Sequence, residues 1–324
     1  MSWADEELEF VNLGDTRLNQ RLKRIVSDLA SYPEASVPQA SRDAAAMQGT
    51  YDFWSNRHIK PAQIQQAHAQ KTAERAVKHQ IVLDIQDTTK LDFTSHRSLR
   101  KKGVRNPLCE GLWVHTSLCA TTQGVPLGIL HQKTWTREKG KNNSNAPPQE
   151  KESKKWLESV LAVQQWLPSN CQVITIGDRE ADIYELLTTI ASVGRDFIIR
   201  AFHNRIVEIA NPQSQEEKES QKLKQALVER DPLGKMKLSV PRAPSREARE
   251  VLLTIKVCRI KLSPPRNHRN RQNLPSLEVT ALLAEEENAP EKKGISWFLL
   301  TSLAVETLAQ AKECLKLYSL RWLI

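Results

Sequence analysis

Ile81-Val82-Leu83-Asp84-Ile85-Gln86-Asp87-Thr88-Thr89 divides the chain into two kinds of pattern. Its first five residues are apolar and β-branched except for Asp84, the composition of a buried strand. The strand ends at Gln86-Asp87 and so delivers an aspartate at its exit. Everything before it reads as helical. Leu18, Leu22, Ile25, Val26 and Leu29 form one apolar stripe at helical spacing. Arg17, Arg21 and Arg24 lie on a neighbouring face, with Lys23 close by. That face suits a DNA backbone or a solvated surface equally well. Ser36-Val37-Pro38-Gln39 has the residues of a helix start, with Gln three positions after Ser. Pro61 opens another helix, running through Arg75 to Lys78.

After the dividing strand the period changes. Leu112–Thr122 and Val125–Leu130 read as a second and third strand around the turn Gln123-Gly124. A basic loop precedes them, with His96, Arg97, Arg100, Lys101, Lys102 and Arg105. A polar loop over Thr136–Pro148 follows, and then a helix from about Gln149 to Leu167. Val173-Ile174-Thr175-Ile176-Gly177 is a fourth strand, which delivers Asp178. A helix through Leu187 and a fifth strand, Phe197–Arg200, complete the series. The order β-β-β-α-β-α-β predicts a ribonuclease H-like α/β fold, a mixed five-stranded sheet covered by helices. A mainly β insertion follows, with strand-like pieces at Val251–Lys261 and Leu277–Leu283. It also holds a charged stretch (Gln213–Lys224) and an Arg- and Pro-rich loop (Pro264–Arg271). Trp297–Thr301 returns as a strand, and Glu306–Ile324 reads as a long helix. The expected organisation is a small all-α DNA-binding domain (1–80), a core (81–201), an insertion subdomain (202–296) and a return to the core (297–324).

Composition narrows the class. The 324 residues carry a net charge of +9 with 47 Lys and Arg, which favours a polyanionic partner through counterion release. Eight tryptophans allow base stacking, although most indoles simply pack in cores. Five cysteines without a C-x-x-C pair read as reduced thiols, small buried side chains rather than a zinc site or a disulfide framework. No apolar run approaches the roughly 20 residues that span a bilayer. The acidic start, Met1–Glu7, is the reverse of a secretory leader, so a cytoplasmic protein is expected.

Two aspartates at the exits of strands one and four are the chemical signal. Magnesium takes few protein ligands and keeps several waters. Phosphodiester hydrolysis by two metals uses carboxylates converging from separate elements. Each aspartate alone has a plainer role: Asp87 in a turn with Thr88 and Thr89, Asp178 as the N-cap of the following helix, beside Glu180 and Asp182.

The motifs around them resemble transposases of the insertion-sequence-four family, the transposon-five type with a DDE site. Trp3–Leu8 with Leu13-Gly14-Asp15-Thr16-Arg17 is similar to that family's opening. Gln86-Asp87-Thr88-Thr89 resembles its first catalytic motif, and Gly177-Asp178-Arg179-Glu180-Ala181-Asp182-Ile183-Tyr184-Glu185 its second. Phe197–Arg205 also fits, and Tyr318 with Arg321 begins its Y-x-x-R-x-x-x-E signature. The resemblance covers essentially the whole chain in order. It implies cut-and-paste transposition of an insertion sequence: a nick at the transposon end, a hairpin on the opposite strand, and joining of the 3′ end to target DNA. Asp87 and Asp178 would hold two Mg²⁺ ions, with Mn²⁺ able to substitute. Arg200, Tyr318 and Arg321 would contact DNA near the cut, and Trp297 would stack on a flipped base, unless it is a core tryptophan at a strand start. Arg17, Arg21 and Arg24 would touch phosphates of the terminal inverted repeats. The expected partners are double-stranded DNA, as end repeats and target, and a second copy in a homodimer, in a bacterial, nucleoid-associated setting.

One departure accompanies the resemblance. The signature's glutamate falls one position past Ile324, and the family's dimerisation region is absent. A C-terminally truncated member is therefore expected, with no third acid in the chain and little or no cleavage by it alone. The alternative is a truncated DNA-binding regulator or an inactive remnant.

Overall fold

Five helices precede the first strand: α1 (Trp3–Glu7), α2 (Thr16–Ser31), α3 (Val37–Ala40), α4 (Ala44–Ser55) and α5 (Pro61–Ala76). The computed structural model describes residues 2–92, 109–138, 154–210, 218–242, 247–268, 271–289 and 294–324. Local chemistry sets the helix starts. Ser2 and Asp5 form a capping box on α1, and the Asp15 side chain accepts the Arg17 amide at α2. Ser36 and Gln39 form the expected box at α3, which is only four residues long. Leu22 and Ile25 of the α2 stripe are buried together with Leu8, Val11, Leu13, Phe53 and Ala67.

Helix α5 belongs to two cores at once. Ala67 and Ile64 pack into the N-terminal group. One and a half turns further on, Ala73 and Ala76 pack with Val82, Cys119 and Leu130 of the sheet. Ion pairs strengthen both sides of the seam. Glu7 of α1 meets Arg75 at 2.6 Å and His68 at 2.5 Å. Arg75 Nε donates to the Leu127 carbonyl at 2.7 Å, and the Ile129 amide donates to His68 Nε2 at 2.8 Å. Gly128 permits this approach: its φ is +139°, and a Cβ there would lie 2.2 Å from Thr72 Oγ1.

The strands are β1 (Ile81–Leu91), β2 (Cys109–Thr121), β3 (Pro126–Glu138), β4 (Gln172–Gly177), β5 (Asp196–Arg200), β6 (Ile206–Ala210), β7 (Lys218–Lys222), β8 (Gly234–Val240), β9 (Arg249–Leu262), β10 (Leu277–Glu286) and β11 (Ser296–Thr301). All eleven form one mixed sheet in the order β3-β2-β1-β4-β5-β11-β10-β9-β6-β7, with β8 also on β9. β1–β4 and β4–β5 are parallel, and the remaining pairings are antiparallel. Helices α6 (Lys154–Trp166), α7 (Tyr184–Ser192) and α8 (Leu223–Val228) help cover one face, where Trp156, Leu187 and Leu227 join Phe197 and Ile260. Helix α9 (Leu308–Ser319) covers the other, where Ala311, Leu315 and Tyr318 pack on Leu83, Ile85 and Ile176.

Three expectations change. Among the described residues the sheet has eleven strands rather than five, because the free edge of β5 is paired by β11, with Leu300 opposite Ile199. An edge strand of this apolarity, left open, would invite pairing with another chain. The stretch read as an insertion therefore continues the same sheet. The final helix, expected from Glu306, is capped at Thr307 and ends at Ser319, and Leu320–Leu323 tighten into a 3₁₀ turn. The basic loop from His96 to Arg105 and most of the polar loop after Glu138 lie outside the described residues. No helix among the described residues is long and apolar enough to cross a membrane.

Candidate active site

The parallel pairing of β1 with β4 ends at Ile85 opposite Ile176. Asp87 and Asp178 each stand two residues beyond that rung, at the same end of the sheet. Side chains alternate along a strand, so Asp87 shares the face of the buried Leu83 and Ile85, the face that α9 covers. It emerges where α9 ends, with Arg321 Nη1 3.6 Å from Asp87 Oδ2. The Thr88 amide donates to Asp87 Oδ1 at 2.8 Å. Asp178 caps the 3₁₀ turn Arg179–Ala181, accepting the Glu180 amide at 2.8 Å. That turn folds back over the strand because residue 177 is glycine. A Cβ there would meet the Ala181 methyl at 2.5 Å.

The two carboxylates sit among cations and aromatics. Burial pushes the Asp87 carboxyl above its ordinary value. The Thr88 amide and Arg321 oppose that shift, and Asp178 and Glu180 add to it. Arg200 and Tyr318 both interact electrostatically with Asp178 and with Arg321. Burial lowers the Arg200 guanidinium and raises the Tyr318 hydroxyl. Arg200 Nη2 donates to the Ser296 carbonyl at 3.0 Å. The Trp297 ring stands edge-on to Tyr318 (5.0 Å between centroids) and to Trp322 (5.8 Å).

Asp87, Asp178, Arg200, Tyr318 and Arg321 thus gather at one end of the sheet, from β1, β4, β5 and the end of α9. Trp297 joins them from below. It is only 5% exposed and belongs to the core, so its ring is not presented to a base in this arrangement. Within this cluster two buried polar atoms have no hydrogen-bond partner among the described residues, the Tyr318 hydroxyl and Arg321 Nε. The hydroxyl lies near enough to Arg321 to feel its charge. Such atoms are costly to leave unsatisfied, and both face the cluster of charges around Asp178.

Arg17, Arg21 and Arg24 stand apart, on α2. Arg17 is exposed and pairs with Asp15 at 2.9 Å, and Arg24 is exposed. Arg21 is half-buried. Its guanidinium lies across Gly49 of α4, where a Cβ would come within 1.7 Å of Nη1.

Three supports are harder to see in the sequence. Behind Asp87, on the other face of β1, the buried Asp84 accepts from Gln86 Nε2 (2.6 Å), Ser117 Oγ (2.5 Å) and Thr175 Oγ1 (3.2 Å). Beside it His115, fully buried, meets Thr88 Oγ1 at 2.9 Å and Gln86 Oε1 at 3.3 Å. Burial pushes the His115 ring down to about 3, and Lys155, His131 and Lys133 add to the shift. The third support is Asp182. It receives the amides of Phe202 and His203 at 2.8 Å each and pairs with Arg205. A lone acid inside an apolar strand, Asp84, was the one visible signal for the first of these.

The carboxylate pair suits a hard cation held partly by water. Two half-exposed acids repel each other, and the Arg321 guanidinium beside Asp87 already shows that the site accommodates positive charge. Among the described residues no group of three or more His, Cys, Asp or Glu is arranged to hold a metal.

Residues 1–59 match the family model described as Transposase DNA-binding. The match covers α1 to α4 and carries Arg17, Arg21 and Arg24. The N-terminal helices are therefore a transposase-related DNA-binding domain.

Proposed function

We propose that the chain is a cut-and-paste DNA transposase with a ribonuclease H-like core, which grips the transposon's end repeats through α2 and acts on them at Asp87 and Asp178. The observation that carries the reading is the convergence of these two aspartates with Arg200, Tyr318 and Arg321 in a protein whose first 59 residues match a transposase DNA-binding model. The strand order β3-β2-β1-β4-β5 supports the ribonuclease H-like core.

Each residue has work it can do with a phosphodiester. Asp87 and Asp178 would hold Mg²⁺, which when bound activates water and stabilises charge on the phosphoryl oxygens. Arg321 would leave Asp87 for a DNA phosphate, which offers its guanidinium a better-charged and bidentate acceptor. The unsatisfied Tyr318 hydroxyl and Arg321 Nε gain partners from the same phosphate. Arg200, held by the Ser296 carbonyl, would fix the strand beside Asp178. On the α2 side, Arg17 and Arg24 reach phosphates directly, while Arg21 braces α2 against α4.

Duplex binding titrated against salt tests the reading of α2. Replacing Arg17 and Arg24 with alanine should lower the slope of log K against log salt by about 1.8 for two lost contacts. An unchanged slope would remove α2 from the interface. Mg²⁺-dependent nicking by residues 1–324 that survives Asp87→Asn or Asp178→Asn would remove those residues from the chemistry.

A further inference from the structure

A cleft of about 810 Å³ opens beyond the 3₁₀ turn that follows Asp178. One wall is the loop after β5, with His203 and Arg205. The other is the turn between β9 and β10, with Arg266, His268 and Arg271. The acids on its walls already have partners. Asp182 holds Arg205 and two amides. Glu185 meets His268 Nε2 at 2.9 Å, and Glu208 accepts from Ser263 Oγ at 3.4 Å. The cations are not all matched. Arg266 and Arg271 are exposed, and their guanidinium groups have no ion pair or hydrogen bond among the described residues. Arg205 keeps Nη1 buried without a partner. Ile183, which opens α7 on the same wall, offers that helix start no side-chain cap.

Next to His203 stands Phe202, 61% exposed and edge-on to the His203 ring at 5.1 Å. Its backbone is fixed, because Asp182 binds the amides of both residues. Phe202 is not itself a lining residue, but its exposed ring, on a clamped backbone, stands against His203, which lines the cleft together with the unpaired Arg266 and Arg271, and the two features match two halves of one ligand: a π-face and a phosphodiester.

We infer that this cleft receives a single strand of DNA, with phosphates against Arg266 and Arg271 and a base stacked on Phe202. Free inorganic phosphate would leave the ring without purpose, and an intact duplex offers no free base face except at its end. The inference rests on the reading of Asp178 as part of a DNA-processing site, which lies one 3₁₀ turn away. It gives that site a route for the strand after unpairing.

The test uses the whole chain and two probes measured in parallel by fluorescence anisotropy, an oligothymidylate and a blunt duplex. The wild type should bind the oligothymidylate with a salt dependence. Replacing Arg266 and Arg271 together with alanine should weaken that binding about twenty-fold at 0.1 M salt, as expected for two lost contacts on a single strand. Phe202→Ala should weaken it about tenfold and Phe202→Trp should restore it, since stacking is tolerant of the ring used. Duplex binding should be unchanged in all three variants, which also shows that they are folded. Oligothymidylate binding that is absent, or equal in wild type and variants, overturns the inference while leaving duplex recognition standing. Duplex binding that is absent while the variants still lose the oligothymidylate would overturn the reading of α2 instead.

Discussion

Asp178 and Asp182 stand four residues apart in one short segment and do opposite things. Asp178 caps a single turn and keeps its carboxylate half-exposed, whereas Asp182 is buried and holds two amides and Arg205. Removing Asp182 leaves a buried guanidinium and two amides unpaired. Asp182→Ala should therefore cost about 3–5 kcal/mol, while Asp178→Asn should stay within about 1 kcal/mol, read as shifts in urea midpoints. Equal costs would mean that the division of labour is misread. The sequence singles out Asp178 by its place at a strand exit, but it gives no sign of what Asp182 does, because its partners lie in a loop twenty residues downstream. His115 was hidden for the same reason: nothing in Val114-His115-Thr116 shows that the ring is sealed between Thr88 and Trp156. Its consequence is measurable. An unfolded chain protonates this ring below about pH 6.5, but the folded protein does so only near pH 3. The stability that the neutral ring contributes is complete above pH 6.5 and falls as the pH drops toward 3, by about 2 kcal/mol at pH 5. Denaturation at pH 7 and pH 5 should show that loss in the wild type and a smaller one in His115→Gln. The buried Asp84 acts in the other sense, since its raised carboxyl is most stabilising when protonated and loses that advantage as the pH rises through its folded value.

At the scale of elements, periodicity was enough wherever one face of a helix or strand meets one core. The α2 stripe and the strands β4 and β5 follow from local pattern, and so does the delivery of Asp87 and Asp178 to the same end of the sheet, although β1, expected to end at Gln86-Asp87, runs on to Leu91 along β2. What failed were pairings made over long sequence distances. The partner of β5 is β11, about a hundred residues away, and no local pattern encodes which strand covers an edge. The end of α9 failed for a related reason: Leu320–Leu323 continue the apolar pattern but turn to pack Leu320 on Gly124 and Trp322 on Trp297. Helix α5 was readable as a helix but not as a shared one. The family match stops at residue 59, yet Ile64 and Ala67 of α5 fill the core of the N-terminal helices. A fragment of residues 1–59 should therefore be largely unfolded by circular dichroism, and residues 1–78 should be helical with a cooperative melt. A well-folded 1–59 would show that α5 is dispensable to that core.

At the scale of the whole molecule, the described residues form one sheet with two covered faces and a group of helices fastened to it by α5. Trp156 lies in one face's core and Trp297 in the other's. Heating should then give coincident transitions by tryptophan fluorescence and by the helical signal at 222 nm, as two-state unfolding requires. Separated transitions would mean that the seam at Glu7, His68 and Arg75 is weaker than its short contacts suggest. Charge and composition were legible at this scale from the outset, while the rigidity of the attachment was not, because it depends on Gly128 letting two elements touch. That rigidity has a metrical meaning. If α2 reads the DNA and Asp87 and Asp178 work on it, α5 is the ruler between them. The number of base pairs separating the recognised sequence from the point of attack is then fixed by the length of a helix rather than by the reach of a tether.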